Sequence, residues 1–418
     1  MGQTPSTFTP EFTPIPSPTQ VVTALPPPIT RPEDAHGIQQ TTSPQLAPAT
    51  FRPPAPPPAQ WLTSASSFTI PCSVHAQRVF VTAVVNGQER TFVLGSAARY
   101  STIDEARSAP SRNDPIVLPT LQIGDLRFNS LIASVGAVNA FAETYLGAPA
   151  DGVLGQELFA RFPVKIDYRA CSVTVFRESA AAQADVESND APSRQSMALT
   201  MVGGLPTLQA KVGSTSAVLA LDTASDADLD LSQQFVLSTR IAFTGPGVPE
   251  LRRVALDGQY HGRTARTPML SIGSLTLDAP LVGVFFGMSP LPPGVVGFIG
   301  NGVLDRFVVL IDEPADTCAL MMPQVSPSEV RQRSYDRSGL WLVMRKNAIV
   351  VKSVLPGSPA GRAAMRSGDL IVSVSGQAPA DLDTARALLA QPAGTRLTVT
   401  YVRGGTQHTV SFALKTLV

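Results

Sequence analysis

Three blocks of this chain occur twice, in the same order, and that repeat limits the fold more than any other feature of the sequence. Residues Arg78–Ala98 align without a gap on Leu205–Ser225. Each copy alternates apolar and polar residues, turns at Asn86-Gly87 or Gly213-Ser214, and alternates again up to Leu94 or Leu221, as a β-hairpin does. Leu121–Leu126 matches Leu270–Leu275, again strand, turn, strand. In the third block Gly152–Asp167 aligns gap-free on Gly297–Asp312, sharing Gly, Gly, Arg, Phe, Ile and Asp at matched places. Two copies of one β-rich unit are therefore expected, lobe 1 over residues 66–178 and lobe 2 over 196–324. The Ala-, Ser- and Asp-rich stretch 179–195 reads as a linker between them.

The flanks differ in texture. Of the 38 prolines, 16 fall in residues 1–60, which hold only five charged side chains. Each proline removes a backbone donor and fixes φ, and the segment has too few apolar residues to offset ordering, so residues 1–65 are predicted to be a disordered or polyproline II leader. After a polar linker at 325–338, a compact pattern fills 339–418. Ala348–Leu355 reads as a strand, Pro356–Ala360 as a turn into a short helix, and Ser367–Gly376 as turn, strand and turn. Asp381–Ala390 is a helix with Leu382, Ala385 and Leu389 on one face, and two strands around Gly404-Gly405 close the module.

Composition removes several classes of function. The 32 basic and 32 acidic side chains balance, with no cationic cluster to grip a nucleic acid. No stretch reaches the roughly 18 apolar residues of a membrane-spanning helix, the N-terminus lacks a secretory-signal layout, and Gly2 fits only a loose myristoylation pattern. Cys72, Cys171 and Cys318 are too few for a disulfide framework and lack zinc spacing. Cys171 and Cys318 follow Asp167 and Asp312 at similar places, but on separate lobes they need not be close enough to bridge. No metal site is expected, no H-E-x-x-H motif accompanies the four histidines, and no G-x-S-x-G block supports a serine peptidase.

The repeat carries a resemblance. Leu219-Ala220-Leu221-Asp222-Thr223-Ala224-Ser225 with Phe298-Ile299-Gly300, and Phe92-Val93-Leu94 with Val153-Leu154-Gly155, resemble the pattern of pepsin-like and retroviral-type aspartic peptidases. The resemblance implies a mainly β fold of two tandem acid-peptidase (retropepsin-like) β-barrel lobes, one loop carboxylate from each, and a peptide cleft between them. In that chemistry two carboxylates share a proton, one acting as base on water and the other donating to the scissile carbonyl. Asp222 takes the catalytic position and Thr223 the position whose hydroxyl braces the loop. The sequence departs at lobe 1, a degenerate first site where Gly95-Ser96 stands in place of the first Asp and its neighbour, and at Ala224, where the family has glycine. Asp104 lies nine residues beyond Gly95 and cannot take the same loop position.

The C-terminal module resembles a bacterial-type PDZ domain, an α+β fold, through Val354-x-x-Gly357-Ser358-Pro359-Ala360, Ser367-Gly368-Asp369-Leu370-Ile371 and Gly376. Such domains add a peptide strand to their sheet and capture its terminal carboxylate on backbone N–H groups. The corresponding peptide-binding loop is Gly339-Leu340-Trp341-Leu342, with Trp341 where the family usually has glycine. Docking or oligomerisation without a peptide ligand is the competing role. Two functions follow: an aspartic-type endopeptidase acting on extended polypeptides, or, because of Gly95, an inactive pseudo-peptidase serving as a peptide-binding adaptor. Neither takes a cofactor, and activity through paired Asp222 residues would require a homodimer. Resemblance to exported bacterial proteins implies a periplasmic or secreted location.

Overall fold

The computed structural model describes residues 58–104, 115–188, 194–255, 258–286, 291–322 and 335–418. The leader up to residue 57 and most of the expected linker at 325–338 lie outside the described residues. Both lobes are built on the repeated hairpin, Arg78–Val85 with Gln88–Leu94 and Leu205–Val212 with Thr215–Asp222. The first turns tightly because Asn86 and Gly87 both adopt positive φ, 50° and 84°.

The third repeated block explains why each hairpin ends where it does. Gly152–Leu154 runs parallel to Phe92–Leu94, and Gly297–Gly300 runs parallel to Leu219–Asp222, in matching register. These strands are wedged between neighbours so closely that a Cβ on Gly152 would strike the Thr102 carbonyl oxygen. One on Gly297 would strike that of Asp230. The repeated glycines are therefore required by close backbone approach.

The lobes meet in a sheet of six antiparallel strands: Ser67–His75, Ser172–Phe176, Val164–Asp167, Val308–Asp312, Thr317–Met321 and Arg194–Ala198. Its centre pairs Val164–Asp167 with Val308–Asp312, the same element of the two copies, so a pseudo-twofold axis passes between them. Val164, Ile166, Val309 and Ile311 are fully buried there, and one apolar core runs through both lobes.

Three sequence expectations change. The leader was expected to reach residue 65, but Ala59–Trp61 pairs with Leu126–Phe128 in lobe 1. Its anchor is Trp61, which meets Phe68 and Phe162 edge-on beneath the Arg177 guanidinium. The expected linker 179–195 contains the helix Ser179–Ser188, whose buried Ala182 and Val186 join Phe176 and Leu310, and then the strand Arg194–Ala198. Cys72, in the strand Ser67–His75, forms a disulfide with Cys171, which immediately precedes the neighbouring strand Ser172–Phe176, while Cys318 is buried and unbridged. Residues 99 apart in sequence become neighbours only through the sheet order.

The C-terminal module is a five-stranded antiparallel sheet in sequential order, starting with Leu340–Arg345 as an edge strand. Helices Pro359–Arg362 and Leu382–Leu389 complete it. It has its own core, in which Leu382, Ala385 and Leu389 of the second helix pack against Leu342, Val351 and Val399. Among the described residues no helix is long and apolar enough to cross a membrane.

Candidate functional site

Asp222 ends the strand Thr215–Asp222, and the chain turns sharply after it. Its Oδ1 accepts a hydrogen bond from the Ala224 N–H at 2.9 Å, which orients the carboxylate on its own loop. The next residue crosses to the other lobe. Thr223 Oγ1 donates to the Leu94 carbonyl (2.9 Å) and accepts from the Ser96 N–H (2.9 Å). Ser96 Oγ returns the pattern, donating to the Leu221 carbonyl (2.8 Å) and accepting from the Thr223 N–H (3.2 Å). Thr223 and Ser96 are both wholly buried, so these four bonds have no competition from water. Sequence reasoning grouped Ser96 with the degenerate first site. The structure gives it the same cross-lobe bonding as Thr223, and only residue 95 departs.

Gly95 stands across from Asp222 on the pseudo-twofold axis and supplies no carboxylate. A Cβ built there would lie 2.8 Å from Val153 Cγ1, 3.2 Å from Ala98 Cβ and 3.5 Å from Ala224 Cβ. Val153 fills the space a side chain would need, and the Ala224 methyl packs beside it. The two departures from the pattern thus share one volume.

Beneath the two loops lies a second symmetric layer that the sequence reading missed. Gln156, which follows Gly155 in lobe 1, donates from Nε2 to the Ser96 carbonyl (2.5 Å) and to Glu313 Oε1 (2.8 Å) in lobe 2. Asn301, which follows Gly300 in lobe 2, donates from Nδ2 to the Thr223 carbonyl (2.6 Å) and accepts at Oδ1 from the Tyr168 hydroxyl (2.7 Å) of lobe 1. Tyr168 and Glu313 each follow the matched Asp167 and Asp312, so the struts are equivalent in place and different in chemistry. Burial pushes Glu313 up to about 7, against the opposing bond from Gln156. Burial, with help from Asp305 and Asp222, pushes the Tyr168 hydroxyl well above its usual value. The signal for both was the repeat itself, read one residue past its last identical pair.

A buried cation also spans the lobes. Arg78, 3% exposed, donates from Nε to the Ala224 carbonyl (2.6 Å) and pairs through Nη2 with Asp226 Oδ1 (3.3 Å). It clamps the loop that follows Asp222 from the lobe 1 side.

The expected carboxylate-capturing loop behaves differently from the sequence reading. Asp336, just upstream, accepts from Ser338 N–H (3.0 Å), Ser338 Oγ (2.6 Å) and Gly339 N–H (2.6 Å), while Leu340 N–H donates to Ser338 Oγ (3.1 Å). Burial pushes Asp336 up to about 6 in spite of these donors. Gly339 has φ +81°, and a Cβ there would strike Ser358. The loop donors at 338–340 are thus engaged within the chain. Trp341, where glycine was expected, stacks on Tyr145 of lobe 1 with centroids 6.0 Å apart.

Residues 350–403 match the family model of the PDZ domain. The C-terminal module is a PDZ domain. No curated protein matches the chain. Among solved structures, an aspartic proteinase from Irpex lacteus aligns at 11% identity and TM-score 0.39, over 63% of this chain and all of that one. A photosystem II D1 C-terminal processing protease aligns at 26% identity and TM-score 0.20, over 22% of this chain and 28% of that one. The two-lobed architecture rests on the strand registers, the pseudo-twofold sheet and the cross-lobe bonds. The molecule is mainly β, two such lobes followed by an α+β PDZ domain.

Proposed function

We propose that this chain is a polypeptide-binding protein that keeps the acid-peptidase scaffold without its two-carboxylate chemistry, coupled to a PDZ domain. The observation that carries the reading is Gly95 set opposite Asp222 while all four cross-lobe bonds of Ser96 and Thr223 are intact. With glycine at position 95, lobe 1 supplies no carboxylate to pair with Asp222 across the axis, and that pairing is what splits two carboxylates into an acid and a base. Activity through two Asp222 residues from separate chains would require another loop where Leu94–Ala98 of the same chain is already bonded, so the reading is of a chain whose site is complete without a second copy. The Cys72–Cys171 disulfide supports an oxidising compartment, periplasmic or secreted.

The test incubates the purified chain with unfolded polypeptides from pH 3 to pH 8, beside Asp222→Asn. Binding without cleavage is expected from both proteins. Cleavage by the unsubstituted chain that disappears in Asp222→Asn overturns the reading and establishes an endopeptidase.

A further inference from the structure

The PDZ groove, between the edge strand Leu340–Arg345 and the helix Leu382–Leu389, is where a peptide would lie. Lobe 1 is already there. The π-helical turn Ala142–Leu146 packs against the edge strand. Tyr145 stacks on Trp341, and its carbonyl accepts from Arg386 Nη2 at 2.9 Å. The same nitrogen reaches the Leu342 carbonyl at 3.5 Å, so Arg386 ties the occupant to the edge strand. Gly147 follows with φ +76°, so close to the helix that a Cβ on it would lie 3.0 Å from Leu382 Cβ. A second tie joins Ala76 N–H to Asp383 Oδ2 at 2.8 Å.

Two features separate this occupant from a chain terminus. It passes through the groove and continues to Ala148, and the charge at the head of the groove comes from Asp336, bonded to Ser338 and Gly339. Beside the contact a cavity of about 640 Å³ opens between the PDZ domain and both lobes, with Trp341, Tyr145, Arg386, Arg78 and Asp226 on its walls. That volume lies in the range of ligand sites. It leaves room for a competing segment to approach.

We propose that this PDZ groove reads an internal polypeptide segment of aromatic–aliphatic–small sequence instead of a chain end, and that Tyr145-Leu146-Gly147 is its resident ligand, exchanged for a like segment of a bound polypeptide. The aromatic residue stacks on Trp341, its carbonyl meets Arg386, and the small residue clears Leu382. Tethering gives the resident segment an effective concentration of order millimolar, so a rival in solution competes poorly until the internal contact is weakened. The inference adds a second peptide site to the proposed function, and its test does not involve the cleft or Asp222.

The probes are two fluorescent peptides of the sequence Phe141–Ala148, one ending in an amide and one in a free carboxylate, titrated by anisotropy into the full chain. Tyr145→Ala should bind the amide peptide at least tenfold more tightly than the unsubstituted chain, and the two peptides should agree within about twofold. In Asp336→Ala the carboxylate form should gain at least tenfold over the amide. In the unsubstituted chain, whose folding is not at issue, saturating amide peptide should raise hydrogen exchange across 141–147 and lower it across 340–345. A tenfold preference for the carboxylate form with Asp336 present overturns the proposal. So does unchanged exchange in both segments under saturation.

Discussion

The interface loops of lobes 1 and 2 share one bonding framework and differ in the side chain each presents at its tip. Residues 92–98 and 219–225 make the same parallel pairing and the same exchange of hydroxyl bonds, yet one loop carries Asp222 and the other Gly95. The difference teaches that what holds the two loops together is separable from the carboxylates they would present. Ser96 and Thr223 bond to backbone groups, and a backbone carbonyl is indifferent to what residue 95 carries. A chain can lose half of an acid–base pair and keep the interface that displayed it.

The largest expected effect breaks the part the lobes have in common. Thr223→Val keeps the shape but leaves the Leu94 carbonyl and Ser96 N–H buried without that partner, and should cost about 2–5 kcal/mol in urea denaturation. Ser96→Ala strands the Leu221 carbonyl and Thr223 N–H and should cost a similar amount. A much smaller loss from Ser96→Ala would mean that lobe 1 has decayed beyond residue 95.

Next come the struts, where equivalent places hold unlike groups. Burial favours protonated Glu313, so its contribution is complete below about pH 4.5 and is lost as pH rises through about 7. Glu313→Gln mimics the protonated form. It should match the unsubstituted chain at pH 4 and exceed it by about 2–3 kcal/mol at pH 8. Tyr168→Phe removes one neutral bond and should cost about 1 kcal/mol at both pH values. Stability curves of the three proteins against pH decide this, and parallel curves would sink the assignment of the titration to Glu313.

A smaller effect tests whether the lobes can be made alike again. Gly95→Asp meets Val153 Cγ1 at 2.8 Å and should cost about 1–3 kcal/mol by overpacking. Adding Val153→Ala should recover part of that loss, whereas adding Ala224→Gly, whose methyl sits at 3.5 Å, should recover little. Gly95→Asp/Val153→Ala is then the variant expected to cut unfolded polypeptide at acid pH, in an Asp222-dependent way. Equal relief from both partners would show that Val153 is not what fills the space.

Much of this comparison could be read from the repeat. The hairpins, the supporting strands and the pairing of positions 95 and 222 all follow from aligning three blocks, because identical periodicity and identical glycines impose the same close packing twice. What escaped was whatever the repeat does not conserve in kind. Tyr168 and Glu313 align, but an aromatic hydroxyl and a carboxylate look unrelated until both are seen to brace an amide from the other lobe. Trp341 read only as a departure from the glycine usual in a carboxylate loop, because its partner, Tyr145, lies in another domain. Cys72 and Cys171 become neighbours only once the six-stranded sheet is ordered. Local pattern reported elements; contacts across domains needed coordinates.

The smallest expected effect falls on the residue that first drew attention. Asp222 Oδ1 accepts from the Ala224 N–H, and an asparagine oxygen can accept the same bond. Opposite it Gly95 offers no carboxylate, so Asp222→Asn relieves no repulsion across the lobe axis. The change should shift unfolding free energy by less than about 0.5 kcal/mol and leave polypeptide binding unchanged. In a working pair the same substitution abolishes a titration coupled to the second carboxylate, and the pH dependence of binding would change shape. Binding isotherms of both proteins between pH 3 and pH 7 therefore measure the asymmetry of the lobes directly. Superimposable profiles fit an Asp222 that shares no proton across the lobe axis, and a displaced profile would mean that it shares its proton with a group that Gly95 does not provide.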